Sequence, residues 1–130
     1  MIVDITNEIY TVLKQALTGV TVLEAYPSTV PTFPCIVVEE MQNLSDEETK
    51  DSSGFHYSRI ALEINIFSNA ENKISQVKNI RKQINDILNG NYKMNRDDAR
   101  PVPNYADDNI YRYVLRYSAM VDSSRTIYRG

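Results

Sequence analysis

Apolar positions along this chain change their period several times, and each change marks an element. Ile2, Ile5, Ile9, Val12, Ala16 and Leu17 recur at helical steps, which predicts an apolar stripe on a helix of about four turns. Thr18-Gly19 ends it, because glycine readily takes the left-handed conformation that closes a helix C-terminus, and Asp4 suits the positive end of the helix dipole. Val20 to Pro27 reads as a strand, closed by the prolines of PSTVPTFP, which lack the amide donor that a central ladder needs. The unbroken run Cys35-Ile36-Val37-Val38 then predicts a central strand covered on both faces, before Glu39 and Glu40 return to water.

From Asn43 to Phe55 the chain reads NLSDEETKDSSGF and has no period, so a mobile acidic loop is expected at about 43–56. Asp46, Glu47, Glu48 and Asp51 cluster there, either as a solvated tip or as a segment that orders against a partner. Beyond it, Ile60, Leu62, Ile64 and Ile66 alternate with Arg59, Ala61, Glu63 and Asn65, the pattern of a strand with one buried face. Ser68-Asn69-Ala70-Glu71 matches a capping box, and Ile74, Val77, Ile80, Ile84, Ile87 and Leu88 give a second helix its stripe, ended by Asn89-Gly90. Lys73, Lys78, Arg81 and Lys82 decorate the other side of that helix, as a solvated face or as one that meets an acidic partner.

Tyr92 to Met94 begins a weaker strand that runs into the turn-rich NRDDARPVPNYADDN. In NIYRYVLRYSAMV the odd positions Tyr111, Tyr113, Leu115, Tyr117, Ala119 and Val121 form an apolar face. Arg112, Arg116 and Ser118 share the other face with Ile110, Val114 and Met120, and a turn at 122–125 leads to a short last strand, Thr126 to Arg129. The predicted order is α-β-β-β-α-β-β with an optional last strand: a single α+β domain, 1–130, whose antiparallel-dominated mixed sheet is packed on one face by two amphipathic helices. The other face is left to water or to another subunit.

Composition changes this picture only by exclusion. Apolar residues at 42% and charged residues at 24% fit a globular domain, and a net charge of −3 repels a phosphate backbone, so contact with nucleic acid would have to be local. The N-terminus has neither the basic start nor the apolar run of a signal peptide, and no membrane span is long enough, so a cytoplasmic protein is expected. With one cysteine there is no internal disulfide, and with one histidine no nucleophile–histidine arrangement unless His56 serves it. Four glycines and no phosphate-binding or zinc-binding motif argue against nucleotide hydrolysis and against a cofactor. Asp97-Asp98 and Asp107-Asp108 suggest a divalent metal, but neighbouring residues on a strand point to opposite faces and aspartate suits turns, so turn chemistry accounts for them. We expect no catalytic, cofactor or metal site, and hence no enzyme.

Tyr111, Tyr113 and Tyr117 beside Arg112 and Arg116 have the letters of a base-stacking platform, yet a period of two sends the tyrosines and the arginines to opposite faces. Several strings together point elsewhere. FPCIVVEE after a proline-rich turn, ALEINIFSN feeding a helix, Pro101-Val102-Pro103-Asn104 with Asp107 beyond it, Ile110-Tyr111-Arg112 and Ile127-Tyr128-Arg129 follow one another in an order that resembles the tail terminator, or tail completion, proteins of long-tailed phages and prophages. The resemblance covers nearly the whole chain and contains no catalytic motif. It implies a small α+β protein that forms a ring, commonly of six copies, on the end of the tail tube, stops tail polymerisation and joins the head connector. Its partners would be further copies of itself, the tail tube protein and the head completion or connector protein, first in the host cytoplasm and then in the virion, with DNA passing through the ring. Asp46, Glu47, Glu48, Asp51, Arg112 and Arg116 are the expected subunit contacts. A head completion protein and, more remotely, a nucleic-acid-binding module are the alternatives.

Overall fold

The computed structural model describes residues 6–24, 32–46, 57–102, 110–122 and 127–128. Its elements are α1 (Thr6–Ala16), β1 (Thr21–Leu23), β2 (Cys35–Asp46), β3 (Tyr57–Ser68), α2 (Lys73–Asn85) running into a π-helical turn (Asp86–Asn91), β4 (Asn95–Val102), β5 (Tyr111–Asp122) and β6 (Ile127–Tyr128). The strands form one sheet in the order β1-β2-β3-β5-β4, with β6 also paired to β5. Only β1 and β2 are parallel; the other pairs are antiparallel. Because β3 and β4 both oppose β5 and lie on either side of it, they run parallel to each other, and α2 is the crossover of a split β-α-β unit. The expected α+β architecture is the one observed.

Alternation decides which residues meet the helices. Ile60, Leu62, Ile64 and Ile66 of β3 and Tyr113, Leu115, Tyr117 and Ala119 of β5 are buried on one face with Val22, Ile36 and Val38, against Ile9, Leu13 and Leu17 from α1 and its end and Val77, Ile80, Ile84 and Leu88 from α2 and its π turn. Each such large side chain contributes roughly 1.5–3 kcal/mol by leaving water. The α1 stripe follows a four-residue row, so Leu13 is buried where the sequence had suggested Val12 and Ala16; Val12 is half-buried, Ala16 is exposed, and Ile2 and Ile5 lie outside the described residues. Ile74 also leaves the expected stripe and is 54% exposed.

Cross-strand partners share a face, so Thr21, Cys35, Phe67, Arg112 and Val102 form one row across the second face, and Leu23, Val37, Asn65, Val114 and Arg100 the next. Cys35, Val37, Asn65, Phe67 and Val114 are buried there. The second face, which the sequence left to water or to another subunit, is thus buried within the chain itself on its central strands at this end of the sheet.

Several boundaries differ from expectation, among them that of β1, which ends at Leu23 where a strand to Pro27 was expected. Gln42 to Asp46 continues β2 and pairs with Tyr57 to Ala61, so 43–46 do not belong to the loop expected at 43–56, and 47–56 lie outside the described residues; ladder hydrogen bonds satisfy this backbone whatever the polarity of its side chains. A bulge between Glu40 and Gln42 leaves Met41 as the extra, exposed residue. Ser68 ends β3 instead of capping α2: its hydroxyl donates to Gln76 Oε1 and accepts from the Ala70 N–H, and Asn72 precedes the helix without a side-chain cap. Tyr92 to Met94 is no strand. The Tyr92 N–H closes the π turn on Ile87 O, Lys93 takes a φ of 57°, and β4 starts at Asn95, inside the stretch read as turns. Pro101 and the bulge between Arg96 and Asp98 are tolerated because β4 is an edge strand, whose outer groups need no ladder partner in the chain.

Candidate interaction surfaces

Strand β5 separates the tyrosines from the arginines, as the period of two predicts. Tyr113 and Tyr117 are buried under the helices; Arg81 stacks its guanidinium 4.8 Å over the Tyr113 ring and donates to the Tyr113 hydroxyl, and the Tyr117 hydroxyl donates to Asn85 Oδ1 at 3.0 Å. Neither ring is open to a base. On the second face Arg112 lies 5.8 Å over the Phe67 ring, and its Nε donates to Oδ1 of fully buried Asn65 at 2.8 Å. The Asn65 amide donates at 3.4 Å to Glu63, which pairs with Arg116 at 3.7 Å. Arg112 is thereby committed largely to its own sheet, whereas Arg116, with half its side chain exposed, presents a charge outward.

Of the acidic candidates, Asp46 is the last residue of β2, in register with Tyr57, and its side chain is outside the described ones. Glu47, Glu48 and Asp51 lie outside the described residues altogether, as do His56, Asp107 and Asp108. Asp97 sits in the β4 bulge, while Asp98 accepts from the Ala99 N–H and pairs with Arg100 at 3.2 Å, the local backbone and charge contacts expected of aspartate. Among the described residues no group of three acidic, histidine or cysteine side chains is placed to hold a metal ion. Cys35 is fully buried, and burial pushes its thiol up, away from the thiolate a nucleophile needs.

Clefts flank the helical layer among the described residues, and two of them differ in charge. The larger, about 470 Å³, lies between α2 and the β4 side of the sheet; Lys78, Arg81, Lys82 and Arg96 line it with Asn85 and Tyr113, and no carboxylate does among the described residues. Helical spacing puts Lys78, Arg81, Lys82 and Asn85 on one flank of α2, while the β4 bulge leaves Arg96 on the helix side, opposite Tyr117 of β5. The smaller, about 210 Å³, lies at the opposite edge between α1, the end of β1 and β2, where exposed Glu24 and Glu40 stand with Thr6, Asn7 and Tyr10. Tyr10 donates to Val22 O at 3.3 Å and Thr6 to Glu40 Oε1 at 3.0 Å, which pins α1 to this edge. The basic flank of α2 was legible as a run of lysines and arginine. Its partner Arg96 was not, because β4 had been read as turns.

No helix among the described residues is long and apolar enough to cross a membrane. No family model matches the chain, and no curated protein is detectably similar to it.

Proposed function

We propose that this chain is a structural protein of virion assembly that forms a ring on the end of a phage tail tube, ends tail polymerisation and presents the surface on which the head joins. The observation that carries this reading is where three of the resembling strings meet. Phe33-Pro34-Cys35 opens β2, Pro101-Val102 closes β4 and Ile110-Tyr111-Arg112 opens β5, and the register sets Cys35, Arg112 and Val102 in one cross-strand row at one end of the sheet. Strings far apart in sequence thus frame a single architectural feature, and their side chains are apolar, aromatic or paired instead of poised for chemistry. Such framing fits a protein whose work is done by its surfaces.

Sedimentation and negative-stain imaging of the full chain, with a tail-capping assay on tubes lacking their terminator, test this directly. We expect closed rings and capped tubes. A chain that stays monomeric at high concentration and caps no tube sinks the reading, and one that closes the portal side instead makes it a head completion protein.

A further inference from the structure

The basic and acidic clefts stand on the same, helix-covered side of the sheet but at its opposite edges, one beside β4 and one beside β1. Four strand spacings, roughly 19 Å, separate those edge strands. We propose that the cleft lined by Lys78, Arg81, Lys82 and Arg96 receives Glu24 and Glu40 of a second copy of this chain, so that subunits join edge to edge and head to tail; this rests on the ring reading above.

Charge complementarity names the occupant. Among the described residues that line them, the larger cleft has four cations and no carboxylate, and the smaller has two exposed carboxylates and no cation, with Lys14 standing 5.7 Å over the Tyr10 ring beside it. Arg81 is held in place by the Tyr113 ring and hydroxyl, so part of the receiving charge is pre-organised and loses little freedom on binding. The Asn85 amide oxygen already accepts from Tyr117, which turns its NH₂ group into a further donor for an incoming carboxylate.

Side chains are better placed than backbones to make this joint. The β4 edge is interrupted by its bulge and by Pro101, and β1 is three residues long, so neither edge suits a continuous sheet between subunits. Because the complementary clefts lie on opposite edges, a neighbour engaged at one leaves the other open for the next, and the contact is heterologous. Such contacts close into a ring when the rotation per subunit allows. A phosphate backbone is the lesser candidate, since the molecule carries a net charge of −3 and its opposite edge is acidic.

Charge exchange in the full chain tests the joint. Lys82→Glu with Arg96→Glu cancels the net positive charge of the basic cleft, since Lys78 and Arg81 then face two carboxylates, and Glu24→Lys with Glu40→Lys makes both edges basic; all four positions are exposed, and circular dichroism checks the fold. We expect each double variant to sediment as a monomer, with association at least tenfold weaker than the parent, and the chain carrying all four changes to form rings again. Disulfide capture of Glu24→Cys against Arg96→Cys between copies, with Cys35 buried and out of reach, gives a second measurement that needs no charge reversal. Rings that survive in both double variants, or no rescue in the fourfold chain, overturn the joint while leaving the ring reading intact. A parent chain that neither forms rings nor caps tubes removes both. If Lys82→Glu with Arg96→Glu abolishes duplex DNA binding but spares the ring, the cleft is a nucleic-acid site and the joint is overturned.

Discussion

At the scale of single residues, Tyr117 joins the core to the rim of the basic cleft. Its ring is fully buried among the β3, β5 and α2 side chains, and its hydroxyl reaches Asn85 on α2. Burial pushes that hydroxyl up to about 12, against a smaller lowering by Arg96, whereas a tyrosine in the unfolded chain ionises near pH 10. An acid whose folded value is raised contributes stability that is whole below the unfolded value and is lost as pH climbs through the folded one. Between pH 10 and 12 the unfolded chain therefore releases this proton first, and on the order of 2–3 kcal/mol of stability goes with it. Tyr117→Phe keeps the packing and removes the titration. It is expected to cost about 1 kcal/mol at pH 8, by leaving the Asn85 oxygen without its donor, and to lose less than the parent between pH 8 and 11 in urea unfolding. Equal losses in the two chains would mean that other tyrosines carry the alkaline transition.

Helix α1 shows at the scale of elements how local chemistry and tertiary packing divide the outcome. Gly19 lies just past its end at a φ of 81°, as the Thr18-Gly19 signal predicted, and an added Cβ there meets nothing within 4 Å. The cost of Gly19→Ala is then purely one of backbone conformation, about 1–2 kcal/mol. Gly90, in the π turn, has no positive φ and equally open surroundings, so Gly90→Ala is expected to be neutral or to stabilise by about 0.4–1 kcal/mol. Thermal unfolding of the two variants checks the pair, and equal effects would refute the assignment of the helix end to Gly19. The same division explains what was legible in the sequence. β3 and β5 carry a strict period of two over a buried face and could be read from their letters alone, and so could the flank of α2 that forms half of the basic cleft. β4 could not, because an edge strand supplies few buried side chains: Asp97, Asp98 and Pro101 carry the signature of a turn, and only pairing with β5 makes them a strand. Ser68 failed as a cap for a related reason, since the strand it ends had first claim on its backbone and its hydroxyl turned to Gln76.

For the molecule as a whole, the proposed edge-to-edge joint assigns separate tasks to separate surfaces. Subunits that meet through the clefts beside β1 and β4 leave the second sheet face out of the contact between ring neighbours, so its outward charge is available to whatever lies beyond the ring. Arg116 is one such charge, beside the Asn65–Glu63 pair. Its ion pair with Glu63 is long and half exposed, a kind of contact that contributes about 0–1 kcal/mol to folding. Arg116→Glu is therefore expected to unfold within a few degrees of the parent and to form rings in parental yield. Capping of tail tubes, or joining to the head, is where the variant should fail, and with an acidic group now beside Glu63 the failure should ease as salt screens the repulsion. Arg112→Glu is not an equivalent probe, because it would strip buried Asn65 of its donor and confuse folding with docking. If Arg116→Glu instead dissolves the ring while the monomer stays folded, the second face lies between neighbouring subunits, and the clefts at the two edges must serve some other contact.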